Sequence, residues 1–216
     1  RKMLSENLKE ANRVKIDTVV KAFAKRGMKG YYAENGKAAL EMILEMIPEG
    51  SSVGRGGSVT LNEIGVFEEL HRGNYTCLEP HGEPDPEKRK AITREIFSAD
   101  FLLTSTNAIT MDGEIVNIEG TGNRMAPFIW GPDRVIVIAG ANKLVGSLEE
   151  AEARIKHDAC PPNCIRLGKQ TPCAFTGKCG NCLSPGNTIC CNTVVTRFNS
   201  IEDRIHVILV NDNLGF

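Results

Sequence analysis

The sequence predicts an α/β domain built on a mainly parallel sheet with helices on both faces. Three observations carry this reading. Short apolar runs alternate with helix-length amphipathic segments over roughly the first 160 residues, the pattern of a chain that winds back and forth across a parallel sheet. Residues 101–104 and 135–139 are strand-length runs that read as buried strands. With 216 residues, 41% of them hydrophobic and 25% charged, the chain can bury one substantial core.

Each element has its own local reason. Residues 4–26 read as a helix with Leu4, Leu8, Ala11, Val19, Ala22 and Phe23 near one face, ended by Gly27. Residues 31–33 form a short aromatic strand. Asn35 and Gly36 start a helix over residues 38–47 that Pro48 closes. A strand at 51–54 feeds a glycine-rich turn and a helix from Thr60, where Thr60 and Glu63 have capping-box spacing. After a strand at 75–78, Asp85 and Pro86 supply the N-cap and first turn of a helix reaching residue 98.

Beyond the buried strand at 101–104, Ile109 and Thr110 pair with Ile115 and Val116 across Asp112-Gly113, a hairpin turn signal. Asn123 is placed to cap a short helix to Trp130. Ser147 and Glu150 form a capping box for a helix reaching His157. Residues 193–198 and 205–210 read as two closing strands. No repeat, low-complexity tract or long linker divides the chain, so residues 1–216 are expected to form a single domain.

Seven of the eight cysteines crowd residues 159–192, and Cys77 lies far from them. Cys173, Cys179, Cys182 and Cys190 read C-x5-C-x2-C-x7-C. Pro172, Gly177, Gly180, Pro185 and Gly186 lie among them, a composition expected to exclude helix and to need something other than apolar burial to order it. Thiolates converging on an iron–sulfur cluster of the 4Fe-4S type, or on zinc, would do so. Disulfide staples would be spread over the fold, so the clustering points to metal-bound thiolates in a reducing cytoplasm. Cys160, Cys164 and Cys191 are additional sulfurs, and His157 lies three residues before Cys160.

The remaining candidate chemistry falls at the ends of predicted strands. Gly54, Gly56, Gly57 and Ser58 join a strand to a helix, so main-chain amides and the hydroxyls of Ser58 and Thr60 can converge on a phosphate or carboxylate. The spacing is neither a dinucleotide fingerprint nor a P-loop. Asn107 closes a short polar run after the 101–104 strand. Asn123 and Arg124 follow Gly120 and Gly122, and Lys143 follows the 135–139 strand. Glu114 is the candidate base, beside an Asp112 that the hairpin needs for geometry. The histidines show no paired metal-ligand spacing, and no hydrolase triad emerges.

Formal net charge of −1 gives no electrostatic reason to expect nucleic acid as a partner. No run is long enough to span a membrane, and no signal-peptide pattern opens the chain.

Taken together, Gly56-Gly57-Ser58, the run from Thr104 to Gly113, and the blocks 117–124, 135–143, 169–173, 176–179 and 204–210 resemble the LUD, or lactate-utilization, domain family. The likeness covers most of the chain. It implies a fold similar to the sugar-phosphate isomerase and CoA-transferase superfamily (NagB/RpiA-like), whose glycine loop binds substrate. It also implies a part in oxidising L-lactate to pyruvate alongside iron–sulfur partner subunits. The cysteine-rich segment resembles that of a single-domain subgroup whose shared positions correspond to Cys173, Cys179, Cys182 and Cys190. Larger relatives carry repeated C-x2-C-x2-C runs that this chain lacks. Three readings are therefore carried forward: a redox-associated protein acting on a small hydroxy acid; a transferase or isomerase on a CoA thioester or sugar phosphate with structural zinc; and a non-catalytic partner subunit. Candidate partners are a small carboxylate or phosphate, redox subunits, and a second copy of the chain.

Overall fold

The computed structural model describes residues 5–216. In chain order the elements are α1 (Glu6–Lys25), β1 (Lys29–Ala33), α2 (Gly36–Met46), β2 (Ser52–Arg55), α3 (Val59–Ile64), α4 (Val66–Leu70), β3 (Thr76–Leu78), α5 (Pro86–Glu95) and β4 (Phe101–Thr104). They continue with β5 (Ala108–Thr110), β6 (Ile115–Glu119), α6 (Met125–Ile129), β7 (Arg134–Gly140), β8 (Leu144–Val145) and α7 (Leu148–Arg154). The last are α8 (Cys160–Arg166), α9 (Pro172–Thr176), β9 (Asn192–Thr196) and β10 (Ile205–Val210).

Six strands form one parallel sheet in the order β1-β10-β7-β4-β2-β3. Its central strands are apolar throughout because both faces are covered. Val135, Val137 and Ala139 of β7 and Val207 and Leu209 of β10 face a layer that includes Ile16, Val19 and Phe23 of α1 and Phe128 of α6. The intervening Ile136, Ile138, Ile208 and Val210 face Ile43 of α2, Leu61 of α3 and Phe67 of α4. This alternation follows from the two-residue repeat of a strand.

A second sheet was not expected as a separate layer. Strands β8-β5-β6-β9 form it, with β5 and β6 antiparallel as the hairpin signal predicts and Ile109 opposite Ile115. Gly113 turns that hairpin at φ +85°. The two strands read as closing the chain therefore part company: β9 pairs with β6 in the small sheet, whereas β10 lies between β1 and β7 in the large one.

Several local expectations need correction. The buried stripe of α1 is Asn12, Ile16, Val19 and Phe23, with Leu8 and Ala11 exposed, and Leu4 lies outside the described residues. Helix α3 is capped by Ser58, whose Oγ accepts from the Leu61 amide, leaving Thr60 inside the helix and fully buried. Asn123 does not cap α6; its Oδ1 accepts from Thr121 Oγ1. Expected caps are found at Asn35, Asp85 and Ser147.

The cysteine segment does hold helices. Helix α7 passes through a wide turn, Ile155–Ala159, directly into α8, and Pro172 opens α9. Proline is tolerated there because first-turn amides have no intrahelical acceptor to lose. The segment is thus joined to α7 rather than looped away from the core.

Candidate functional site

The C-terminal ends of β2, β4 and β7 are neighbours in the parallel sheet, and the segments leaving them converge on one cavity of about 480 Å³. Open α/β sheets gather ligands at this edge because the chain there turns away from the strands and leaves a crevice. From β2 come Gly57, Ser58 and Thr60, from β4 Ser105, Thr106 and Asn107, and from β7 Lys143. Asn123 and Arg124 line the same cavity, as do Arg166 and Lys169 from the cysteine segment.

The glycine turn is close-packed. A Cβ on Gly56 would come within 2.6 Å of Thr104 Oγ1, and one on Gly57 within 2.6 Å of His81 Nε2. Gly54 has a different duty: it lies in β2, where a Cβ would meet Ile96 at 2.7 Å, and it does not line the cavity. His81 was not anticipated as a lining residue. Its burial, with the Arg55 charge nearby, pushes its pKa below the ordinary histidine value.

Lys143 is the most deeply placed cation, 3% exposed. Its Nζ donates to Ser105 Oγ at 2.9 Å and Thr60 Oγ1 at 3.1 Å. Burial, reinforced by the Arg154 and Arg124 guanidiniums and opposed by Glu63, lowers its pKa to about 7.

Arg124 is largely engaged with the protein. Nε donates to Glu119 Oε2 at 2.8 Å, and Nη1 to the Ser105 carbonyl and to Asn117 Oδ1. It therefore clips the loop after β4 to β6. Asn107 shares this work, its Oδ1 accepting from the Ile118 amide at 2.9 Å.

Glu114 stands elsewhere. Its carboxylate accepts from Arg26 Nη2 at 3.0 Å and from Thr110 Oγ1 at 2.7 Å, tying the hairpin to the end of α1, and it does not line the cavity. The structure thus brings together Gly57, Ser58, Thr60, Asn107, Asn123, Arg124 and Lys143, sets Gly56 beside them, and leaves Gly54 and Glu114 apart.

The cysteines form a graded group against this cavity, which Cys160 and Cys191 help to line. Cys160 Sγ lies 3.3 Å from Cys190 Sγ. Cys164 is within hydrogen-bonding reach of Cys173, whose Sγ also lies 3.3 Å from Thr171 Oγ1. Cys182 sits beside Thr188 Oγ1 at 3.6 Å. Cys160, Cys164 and Cys173 are buried, Cys179 and Cys182 half-buried, and Cys190 and Cys191 exposed. The Cys190 pKa is lowered by its hydrogen bond with Cys160 and by Lys156, and that of Cys160 is raised by the same bond and by burial. Soft sulfur donors suit iron–sulfur clusters or zinc. Among the described residues, however, no three His, Cys, Asp or Glu side chains stand together so as to hold a metal ion. Cys173 and Cys190 belong to the paired sulfurs, while Cys179 and Cys182 lie on the loop after α9.

No helix among the described residues is long and apolar enough to cross a membrane. The family profile described as the LUD domain matches residues 16–210. No functionally curated protein matches the chain. Among solved structures, a DUF162 family protein from Deinococcus radiodurans superposes with a TM-score of 0.52 at 11% identity, covering 96% of this chain and 99% of that one. At that identity the likeness shows a shared fold.

Proposed function

The chain belongs to the LUD domain family, which is involved in lactate utilization, and on that footing we propose that its cavity binds a small anionic acid of the hydroxy-acid class. One observation carries the reading. Three cationic side chains, Arg124, Arg166 and Lys169, joined by Lys143 in its protonated form, line the cavity against one side-chain carboxylate, Glu119, which is already paired with Arg124. A carboxylate or phosphate entering there replaces hydration by fixed positive charge and hydroxyl donors.

The redox part of the proposal rests on the sulfur group beside this cavity. Cys173, Cys179, Cys182 and Cys190, with Cys160 and Cys164 as neighbouring donors, would hold an iron–sulfur cluster or zinc, and a cluster would supply one-electron storage. Cys160 pairs with Cys190 and Cys164 with Cys173, while Cys179 and Cys182 stand on the loop after α9. Iron–sulfur partner subunits would be the electron partners of such a centre.

The transferase or isomerase reading draws support from the cavity volume, which exceeds what a three-carbon acid fills and suits a phosphate-bearing ligand. Both readings lose the carboxylate expected to act as base, because Glu114 is held by Arg26 outside the cavity.

Titration calorimetry with L-lactate, inorganic phosphate and lactamide tests the pocket. Lactate should bind and lactamide, which keeps the shape without the charge, should not. Equal binding of both would remove the cationic lining from recognition. Anaerobic purification with iron and zinc analysis and a visible spectrum tests the thiolate centre separately.

A further inference from the structure

Anion binding accounts for a positive charge in the cavity but not for the chemical setting of Lys143. An exposed lysine at the rim would hold an anion while keeping its own hydration. Lys143 is instead 3% exposed at the floor, where its Nζ meets two neutral hydroxyls, Thr60 Oγ1 at 3.1 Å and Ser105 Oγ at 2.9 Å. Those hydroxyls can also accept from a neutral amine or donate to it, since each rotates freely. Main chain forms the adjoining wall: a Cβ on Gly215 would come within 2.5 Å of Thr60 Oγ1 and 3.3 Å of Lys143 Nζ. Desolvation, with the Arg154 and Arg124 charges and against the Glu63 carboxylate, lowers the Lys143 pKa to about 7, so a substantial fraction of the amine is uncharged at neutral pH. A buried, partly deprotonated lysine opening on a cavity is the setting in which an amine acts as a nucleophile towards a carbonyl.

We propose that Lys143 is a covalent lysine of this cavity, condensing through Nζ with the carbonyl carbon of a 2-oxo acid to form an imine. This rests on the reading of the cavity as a small-acid pocket. The nitrogen lone pair forms the new C–N bond as the carbonyl π pair moves onto oxygen, which takes up the proton lost from nitrogen. The carbinolamine then loses its hydroxyl with a second proton as water, leaving C=N. One water is released and no oxidant, reductant or other co-reactant is consumed. Ser105 Oγ and Thr60 Oγ1, 3.4 Å from each other, flank the nitrogen and are placed to carry the proton between nitrogen and oxygen.

The test incubates the intact protein with pyruvate and sodium cyanoborohydride, followed by intact-mass measurement and peptide mapping, alongside calorimetry of pyruvate without reductant. The expected result is a mass gain of one pyruvic acid less one oxygen atom, mapped to the peptide containing Lys143 and absent from Lys143→Arg. Mapping on the unaltered protein locates the adduct even if that variant does not fold. Pyruvate binding by calorimetry with no adduct, or an adduct spread over exposed lysines, overturns the imine and leaves the pocket reading standing. Absence of both heat and adduct overturns the pocket reading as well.

Discussion

The sulfur atoms of Cys160 and Cys190 lie 3.3 Å apart although 30 residues separate them in the chain. Cys160 opens α8 and is buried, whereas Cys190 is exposed just before β9, so the contact closes the cysteine segment on itself. The large apolar side chains of the loop contribute little burial, Leu183 being 90% and Phe175 70% exposed, and Lys169 Nζ and the Gln170 amide add hydrogen bonds to the Gly186 carbonyl and Asn187 Oδ1.

The first expectation concerns metal content. Protein purified without oxygen should contain iron or zinc, and Cys179→Ser and Cys190→Ser should lose it while Cys77→Ser, in β3 and outside the cysteine segment, retains it. Elemental analysis of the three variants checks this. Equal loss in all of them would detach the metal from the clustered thiols.

Arg124→Ala should unfold more readily rather than merely bind ligand less well. The guanidinium and Glu119 are 10% and 13% exposed, and removing one partner strands the other together with Ser105 and Asn117 acceptors. The cost should be about 3 kcal/mol in urea unfolding. Arg124→Lys should recover little, because a single ammonium cannot reproduce the planar fork. An unchanged midpoint would reduce Arg124 to a ligand contact.

Lys143 should leave a signature in the pH dependence of stability. Its pKa is about 7 folded against 10.5 as a free side chain, so between those values the unfolded chain binds the extra proton. Stability contributed by this site therefore rises with pH across that window, and the burden of the buried charge is complete below it. Lys143→Met should gain most over the parent protein at about pH 6, with the gain shrinking towards about pH 10. Thermal melts at the two pH values decide it; a constant difference would mean that the amine does not titrate near neutrality.

Glu114→Gln should leave ligand affinity unchanged, since the side chain faces Arg26 and Thr110 rather than the cavity. Loss of the ion pair should lower stability by about 1 kcal/mol. A large fall in affinity, measured by calorimetry, would bring Glu114 back as a participant.

Much of the scaffold is legible locally. The uniformly apolar runs of β4, β7 and β10 announce strands buried on both faces, and Asp112-Gly113 announces the hairpin, because these preferences act over a few bonds. The helices of the cysteine segment are less legible. Pro172 reads as a breaker until its place in the first turn of α9 is known.

Residue types and spacing set out the alternating α/β order, the glycine turn after β2 and the crowding of cysteines. They do not say which polar groups meet. Glu114 and Lys143 look alike as charged residues near strand ends, yet one is ion-paired at the end of α1 and the other is buried under the cavity. That difference arises when the small sheet packs beside the large one, because burial and the distance between charges are set by chain segments far apart in sequence, and those two quantities govern a side chain's protonation and reach.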